Sequence, residues 1–350
     1  MEPLKPVHKS IAQAFGEQVH TDAVVFDARS PGEFALGHIP GSINLPLLDD
    51  EQRHEVGICY KTKGRQSAID LGFEMAGPHF LDKIQEARRF ATEGMAMVYC
   101  ARGGLRSEII TWLLNKGGIS SIQLTGGYKT WRNYCLTQFE MPRSWFVVTG
   151  MTGVGKTSIL KALQQAGEAV LDLEHIAGHK GSAFGGLGLP EQSRQEQFEN
   201  HLAVALTEIP ANTRCWMEDE SRFIGKLRIP DILFQAKIQG SRIATERSFD
   251  TRIERVLEEY GGLPKEDLRD KTIQLTKRLG HDQVKLALEH LDAHDMQQWV
   301  SILLRYYDKM YEHGITTNKD SLIGHVWADG LSDEEIANQM IQIAKHTHVG

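Results

Sequence analysis

Apolar and polar positions alternate along the chain in two successive rounds of short buried runs and amphipathic stretches. AVVFD (23–27), MAMVYC (95–100) and SIQLTG (121–126) have the unbroken apolar character of strands covered on both faces, and Asp82–Glu93 and Leu105–Lys116 have helical spacing between them. This alternation predicts a small parallel α/β domain over residues 12–138. Pro142 and the polar residues around it mark LTQFEMPRS (136–144) as linker, with 139–144 as the boundary segment, and WFVVTG (145–150) opens a second α/β pattern over 145–350. A helix from Lys156, a strand at EAVLDL (168–173), a glycine-rich stretch at 177–190, a helix from Glu191 to Thr207 and strands at TRCWMED (213–219) and QGSRIA (239–244) follow. Beyond Asp250 the pattern is mostly helical. It ends on a helix introduced by SDEE (332–335), which Ser332 can cap.

Length changes this picture little, since 350 residues exceed one ordinary core and suit two. The absence of a long apolar run argues against a membrane span, and MEPLKPVHKS lacks the apolar core of an export signal, so the cytoplasm is the expected location. There is no internal repeat or low-complexity tract. The four cysteines, Cys59, Cys100, Cys135 and Cys215, show neither paired spacing nor the Cys/His spacing of a zinc site. A formal charge of −7 excludes a uniformly basic coat but leaves room for a local basic track.

Two loops carry chemistry. In YCARGGLRS (99–107), Cys100 lies between a predicted strand and a predicted helix, where converging backbone N–H groups and the helix N-terminus favour the thiolate. Gly103 and Gly104 allow the backbone to curl, and Arg106 offers a planar fork to an oxyanion. The other three cysteines read as inert core. Gly150-Met151-Thr152-Gly153-Val154-Gly155-Lys156-Thr157 fits G-x-x-x-x-G-K-[ST] after an apolar strand, the context in which this motif cradles a di- or triphosphate. Here Gly150, Gly153, Gly155, Lys156 and Thr157 are the phosphate-binding candidates. Mg²⁺ is a candidate ligand of Thr157 and Asp172, with Glu218, Asp219 and Glu220 as further acids. In DTRIERVLEEY (250–260), Arg252 and Arg255 either reach phosphate or form a solvated helix face.

Two segments, DARSPGEFALGHIPGSINLP (27–46) and GGYKTWR (126–132), resemble the opening and closing motifs of the rhodanese family over roughly residues 20–135. That resemblance implies that Cys100 carries sulfur or selenium. The C-x5-R spacing from Cys100 to Arg106 departs from most sulfurtransferases of that family and matches cysteine phosphatases, whose cradle suits a tetrahedral group; selenophosphate carries such a group too. YCARGGLRS, GMTGVGKT (150–157), LDLEHIAGHKGSAFG (171–185) and MEDESRFIG (217–225), in that order, resemble the tRNA 2-selenouridine synthase family over nearly the whole chain.

This second resemblance implies action on the wobble 2-thiouridine of tRNAs for Lys, Glu and Gln. The sulfur is geranylated from geranyl diphosphate, and the S-geranyl group is then replaced by selenium from selenophosphate. No tightly bound cofactor is expected beyond Mg²⁺, and selenophosphate synthetase is a candidate partner. Ala183–Leu189 is a candidate lid over an apolar groove. Arg222, Lys226, Arg228, Arg242, Arg247 and a loop with Lys61, Lys63 and Arg65 are candidate tRNA contacts. The alternatives are a P-loop small-molecule kinase with a rhodanese sensor domain, a cysteine phosphatase and a non-catalytic RNA-binding adaptor.

Overall fold

The computed structural model describes residues 8–10, 23–91, 95–315 and 321–346. The start of the first domain at 12–22 lies outside them, and the helix expected over Asp82–Glu93 runs instead from Phe80 to Arg88. The chain divides into two compact units, residues 1–138 with 199–207, and residues 139–198 with 208–350.

The first unit is built on the strands β1 (His8–Ser10), β2 (Val24–Asp27), β3 (Ile43–Asn44), β4 (Ala96–Tyr99) and β5 (Ser121–Thr125), all parallel in the order β1-β5-β4-β2-β3. All four residues of β4 are buried, as an inner parallel strand covered on both faces requires. Phe26, Leu45, Val98, Ile110 and Leu114, none of them solvent-exposed, fill the core against the helix Leu105–Lys116. Two further helices, Asp50–Lys63 and Arg65–Ala76, replace the loop expected around Lys61, Lys63 and Arg65. Asp49 caps the first by accepting from Gln52 N–H at 2.8 Å, and Lys61 and Lys63 lie in its last turn, where they suit the helix dipole.

The expected linker is helical through Glu140 and β-stranded from Ser144, which leaves only residues 141–143 irregular. Residues 199–207, expected in the second domain from their place in the chain, group with the first unit instead. Fully buried Asn200 explains this: its amide donates to His38 O and the Tyr128 hydroxyl at 2.8 Å each, and its carbonyl accepts from Arg132 at 2.7 Å.

The second unit's main sheet, also parallel, contains β6 (Ser144–Thr149), β7 (Ala169–Leu171), β8 (Arg214–Glu218), β11 (Ser241–Glu246) and β12 (Leu322–Trp327) in the order β12-β11-β6-β8-β7. A small antiparallel pair, β9 (Phe223–Ile224) and β10 (Leu227–Arg228), stands apart. The last third is therefore more than a helical appendage. β12 and the helix Asp333–His346 complete the sheet's core through Val326, Ile336 and Met340, while the helices between Phe249 and Ile315 enclose a second core around Trp299 and Leu304. Ser332 and Glu335 cap the final helix reciprocally, at 2.8 Å from Ser332 N–H to the carboxylate and 3.2 Å from Glu335 N–H to the hydroxyl. The helix expected from Glu191 begins at Gln195. No helix among the described residues is long and apolar enough to cross a membrane.

Candidate active sites: a thiol cradle and a phosphate cradle

In the first unit β4 ends directly on Cys100, and the helix Leu105–Lys116 begins five residues later. The thiol is 3% exposed. Its Sγ accepts the Gly104 N–H at 3.2 Å, and the Ser107 hydroxyl lies 3.1 Å from it. That hydroxyl is also 3.0 Å from Gly104 O and accepts from the Gln123 amide at 2.8 Å, so its single proton is shared between sulfur and carbonyl. Donors aimed at a sulfur stabilise negative charge on it and on an atom it carries. Ser107 and Gln123 are residues that sequence reasoning misses, although Ser107 stands in the cysteine motif itself.

The closing motif buttresses this loop. Tyr128 and Lys129 N–H groups bond to the carbonyls of Cys100 and Ala101 at 2.8 and 3.0 Å. Gly127, at φ +56°, comes so near that an added Cβ would stand 2.1 Å from Cys100 O. Of the two loop glycines only Gly103 has a left-handed backbone, at φ +65° and packed on Gly126 N; Gly104 lies at φ −100° in open space, so it is its N–H that matters. The opening motif is pinned by buried Arg29, which grips Asp27 at 2.6–3.1 Å, donates to Gly37 O at 2.7 Å and stacks 4.0 Å over Tyr128.

Arg106 departs from expectation. Its fork is taken by Glu33, at 2.5 and 3.3 Å, which ties the opening motif to the cysteine helix instead of pointing the fork at an open anion site. Burial pushes the Glu33 carboxyl up, but Arg106 outweighs it and holds the group below its ordinary value. Cys59, Cys135 and Cys215 are buried and free, as expected of core thiols, and burial pushes Cys135 and Cys215 up to about 12.

In the second unit the central strand β6 leads into the P-loop and then the helix Lys156–Gln165. Gly153 and Gly155 adopt φ of +84° and +87°, and the Lys156 ammonium lies 3.4 Å from Gly150 O. Three arginines brace this loop. Arg247 donates to Val154 O at 3.0 Å, Arg252 to Thr152 O at 3.1 Å, and Arg255 to the Ser158 hydroxyl at 2.6 Å. Arg252 is 4% exposed and held by Asp308 at 2.6 and 2.7 Å, which decides against a solvated helix face.

Acids crowd the other side. Thr157 donates to Glu174 at 2.9 Å, Glu174 N–H donates to Glu218 at 2.6 Å, and Glu220 is buried beside them. Burial first, then Glu220, raises Glu174 to about 7; burial, then Asp172 and Glu174, lifts Glu218 well above the usual carboxylate range. Asp219 goes the other way, because Lys237, bonded at 2.6 Å, and Arg242 outweigh its burial. Asp172 does not reach Thr157; it caps the helix Leu173–Ala177 by accepting from His175 N–H at 2.8 Å. Glu174 is thus the acid at Thr157, and its position after a short strand gave no signal of that.

One cavity of about 1200 Å³ joins the P-loop to a chamber walled by Phe184, Val256, Tyr260, Trp299 and Leu304. The glycine-rich stretch is a wall of it: Phe184 is 5% exposed, and Ala183 and Leu187 pack on the same core. Among the candidate RNA contacts, Arg242 and Arg247 are buried and bonded internally, so they cannot meet an RNA surface. Arg222 and Arg228 share Asp231, and Lys226 pairs with Glu191; only Lys61, Lys63 and Arg65 combine exposure with no ion pair among those found in the described residues.

These two units define a class of protein: a rhodanese-like domain with a donor-lined cysteine loop, joined in one chain to a P-loop domain. A family model described as the tRNA 2-selenouridine synthase AAA domain matches residues 143–272, and one described as a rhodanese-like domain matches residues 11–134. The tRNA 2-selenouridine synthase of Cupriavidus necator is 38% identical over 323 residues, covering 82% of this chain and 87% of its own. That of Nitrosomonas europaea is 40% identical over 247 residues (68% and 64%), and that of Shewanella piezotolerans 32% over 367 residues (93% and 99%). The chain belongs to the tRNA 2-selenouridine synthase family.

Proposed function

We propose that the chain converts 2-thiouridine to 2-selenouridine at the wobble position of tRNAs for Lys, Glu and Gln in two steps. In the first, the thiocarbonyl sulfur attacks C1 of geranyl diphosphate, the C1–O bond breaks and pyrophosphate leaves. In the second, water attacks phosphorus of selenophosphate held in the Cys100 loop, the P–Se bond breaks and phosphate leaves, and the selenide kept beside Cys100 attacks C2 of the base, from which the geranylthiolate departs. Alkylation matters because a thiocarbonyl sulfur is a poor leaving group and a thioether sulfur a better one.

The observation that carries this reading is the cavity that joins a diphosphate cradle to an apolar, aromatic chamber. A phosphate site alone suits a kinase equally well, whereas the chamber suits a hydrocarbon tail, with each buried CH₂ worth about 0.8 kcal/mol. Lys156 and the loop amides would stabilise charge growing on departing pyrophosphate. Mg²⁺ fits beside Thr157 and Glu174, where acidic crowding and the unpartnered buried Glu218 Oε2 favour a cation. The described residues hold no cluster of three metal-binding side chains, so the phosphates would complete its shell, and the ion would add charge neutralisation at the leaving group. The exposed Lys61, Lys63 and Arg65 supply a basic track for tRNA phosphates.

Calorimetric titration of the full chain tests the P-loop ligand. Geranyl diphosphate should bind at least about tenfold tighter than pyrophosphate or ATP. ATP hydrolysis obligatory for selenation would contradict the reading.

A further inference from the structure

S-Alkylation of 2-thiouracil, the first step of the proposed reaction, calls for a base. When the thiocarbonyl sulfur attacks carbon, C2=S becomes C2–S, a C2=N3 double bond forms, and the N3 proton must leave. Imidazole is the side chain most often used for such a transfer.

An imidazole of this kind lies on the sheet edge beside the P-loop. Side chains alternate along β12: Val326, 1% exposed, enters the core under the helix Asp333–His346, so His325 and Trp327 turn to the other face. There they join Glu246 of β11 in the wall of the cavity that holds the P-loop. Glu246 pairs in register with Trp327, and its carboxylate accepts from His325 Nδ1 at 2.7 Å. An ionised carboxylate can only accept, so Nδ1 carries the hydrogen and Nε2 is left to take a proton. Two further cations of the cavity, Lys237 and Arg242, face Asp219 at 2.6 and 3.6 Å, and the helix behind β12 turns Ile343 toward Gly324.

This edge is fixed to the P-loop. Thr245 O lies 2.5 Å from where a Cβ on Gly150 would stand, Ala328 N–H donates to Glu246 O at 2.8 Å, and Arg247 joins Ala328 O at 2.9 Å to Val154 O at 3.0 Å. Trp327 is 58% exposed, and an aromatic ring presented beside a phosphate site is a platform on which a base stacks.

We infer that Trp327, His325 and Glu246 form the pocket of the reacting base, an assignment that rests on the geranyl diphosphate reading of the P-loop. Trp327 stacks on the 2-thiouracil ring. His325 Nε2 takes the N3 proton as sulfur bonds to C1 and pyrophosphate leaves, while Glu246 orients the imidazole and balances the imidazolium. Cytosine presents a bare N3 with no proton to give, so the same pair selects a uracil-type ring.

The test uses the full chain, geranyl diphosphate and an anticodon stem-loop RNA with 2-thiouridine at the wobble position. At about pH 8, His325→Gln should geranylate about a hundredfold more slowly, with its calorimetric affinity for geranyl diphosphate unchanged. A protonated imidazole accepts nothing, so the ratio of wild-type to variant rate should shrink on acidification. Glu174, which ionises at about 7, is common to both proteins and cancels in that ratio. Trp327→Ala should raise KM for the RNA about tenfold, and Trp327→Phe should restore most of it. A folded His325→Gln protein with the wild-type rate or a ratio flat with pH, or a folded Trp327→Ala protein with the wild-type KM, refutes the base pocket and leaves the geranyl reading standing. If the wild type transfers no geranyl group to the RNA, both fall together.

Discussion

The two cradles share one plan, a parallel strand running into a loop that opens a helix, yet the carboxylates beside them are tuned in opposite directions. In the first unit Glu33 sits against Arg106, which holds it ionised and uses it as a brace. In the second, Glu174 sits against Glu218 and Glu220 and is pushed to about 7. The Glu33–Arg106 brace keeps the donors of the first loop facing the Cys100 sulfur. The crowded carboxylates beside the second loop hold unfavourable charge that a bound cation would relieve. Strand–loop–helix geometry therefore supplies a place for an anion, and the neighbouring side chains decide its use.

The sharpest way to break this contrast is to add one methyl group to each loop. Gly127→Ala drives a Cβ to 2.1 Å from Cys100 O, a backbone atom that cannot move aside, whereas Gly155→Ala meets first the Arg255 guanidinium at 2.3 Å, a flexible tip. Both carry the strain of a left-handed backbone, at φ +56° and +87°. Thermal or urea unfolding should show Gly127→Ala costing about 3 kcal/mol or more and Gly155→Ala about half that. Equal losses would mean that the thiol loop is no stiffer than the P-loop.

The two glutamates give a smaller and signed test. Glu174 ionises near 7 in the folded chain against 4.5 unfolded, so its penalty develops as pH rises from 4.5 to 7 and persists above. Glu174→Gln should therefore stabilise the protein by roughly 1–3 kcal/mol at pH 8 and be neutral at pH 4. Glu33 is depressed, so its contribution is present above the unfolded value of 4.5 and lost as pH falls through the lower folded value. Glu33→Gln should cost about 1 kcal/mol at pH 7, a gap that closes on acidification. Unfolding free energies across pH check both, and the same sign for both would remove the distinction.

Much of this was legible from residue order. The apolar runs located β2, β4, β5, β6, β8 and β11, and the strand-to-helix position of Cys100 and the G-x-x-x-x-G-K-T run located both loops, because these signals are local. β12 is not legible because LIGHVW has only one fully buried residue, lies at a sheet edge and carries Gly324 and His325, which blur a strand's pattern. The helices at 50–63 and 65–76 escaped because they are only weakly amphipathic and largely exposed. Arg106 pairs with Glu33 73 residues away, and Arg247, Arg252 and Arg255 meet the P-loop about a hundred residues downstream of it. No spacing rule reaches that far.

The division of labour between the two cradles is tested most directly by nucleoside mass spectrometry on tRNA bearing 2-thiouridine, incubated with geranyl diphosphate and selenophosphate. The Cys100→Ala protein should accumulate S-geranyl-2-thiouridine and make no 2-selenouridine. Lys156→Ala should geranylate at least about a hundredfold more slowly yet selenate tRNA supplied already geranylated. Loss of geranylation in Cys100→Ala, or full selenation by it, would contradict the assignment of one step to each cradle.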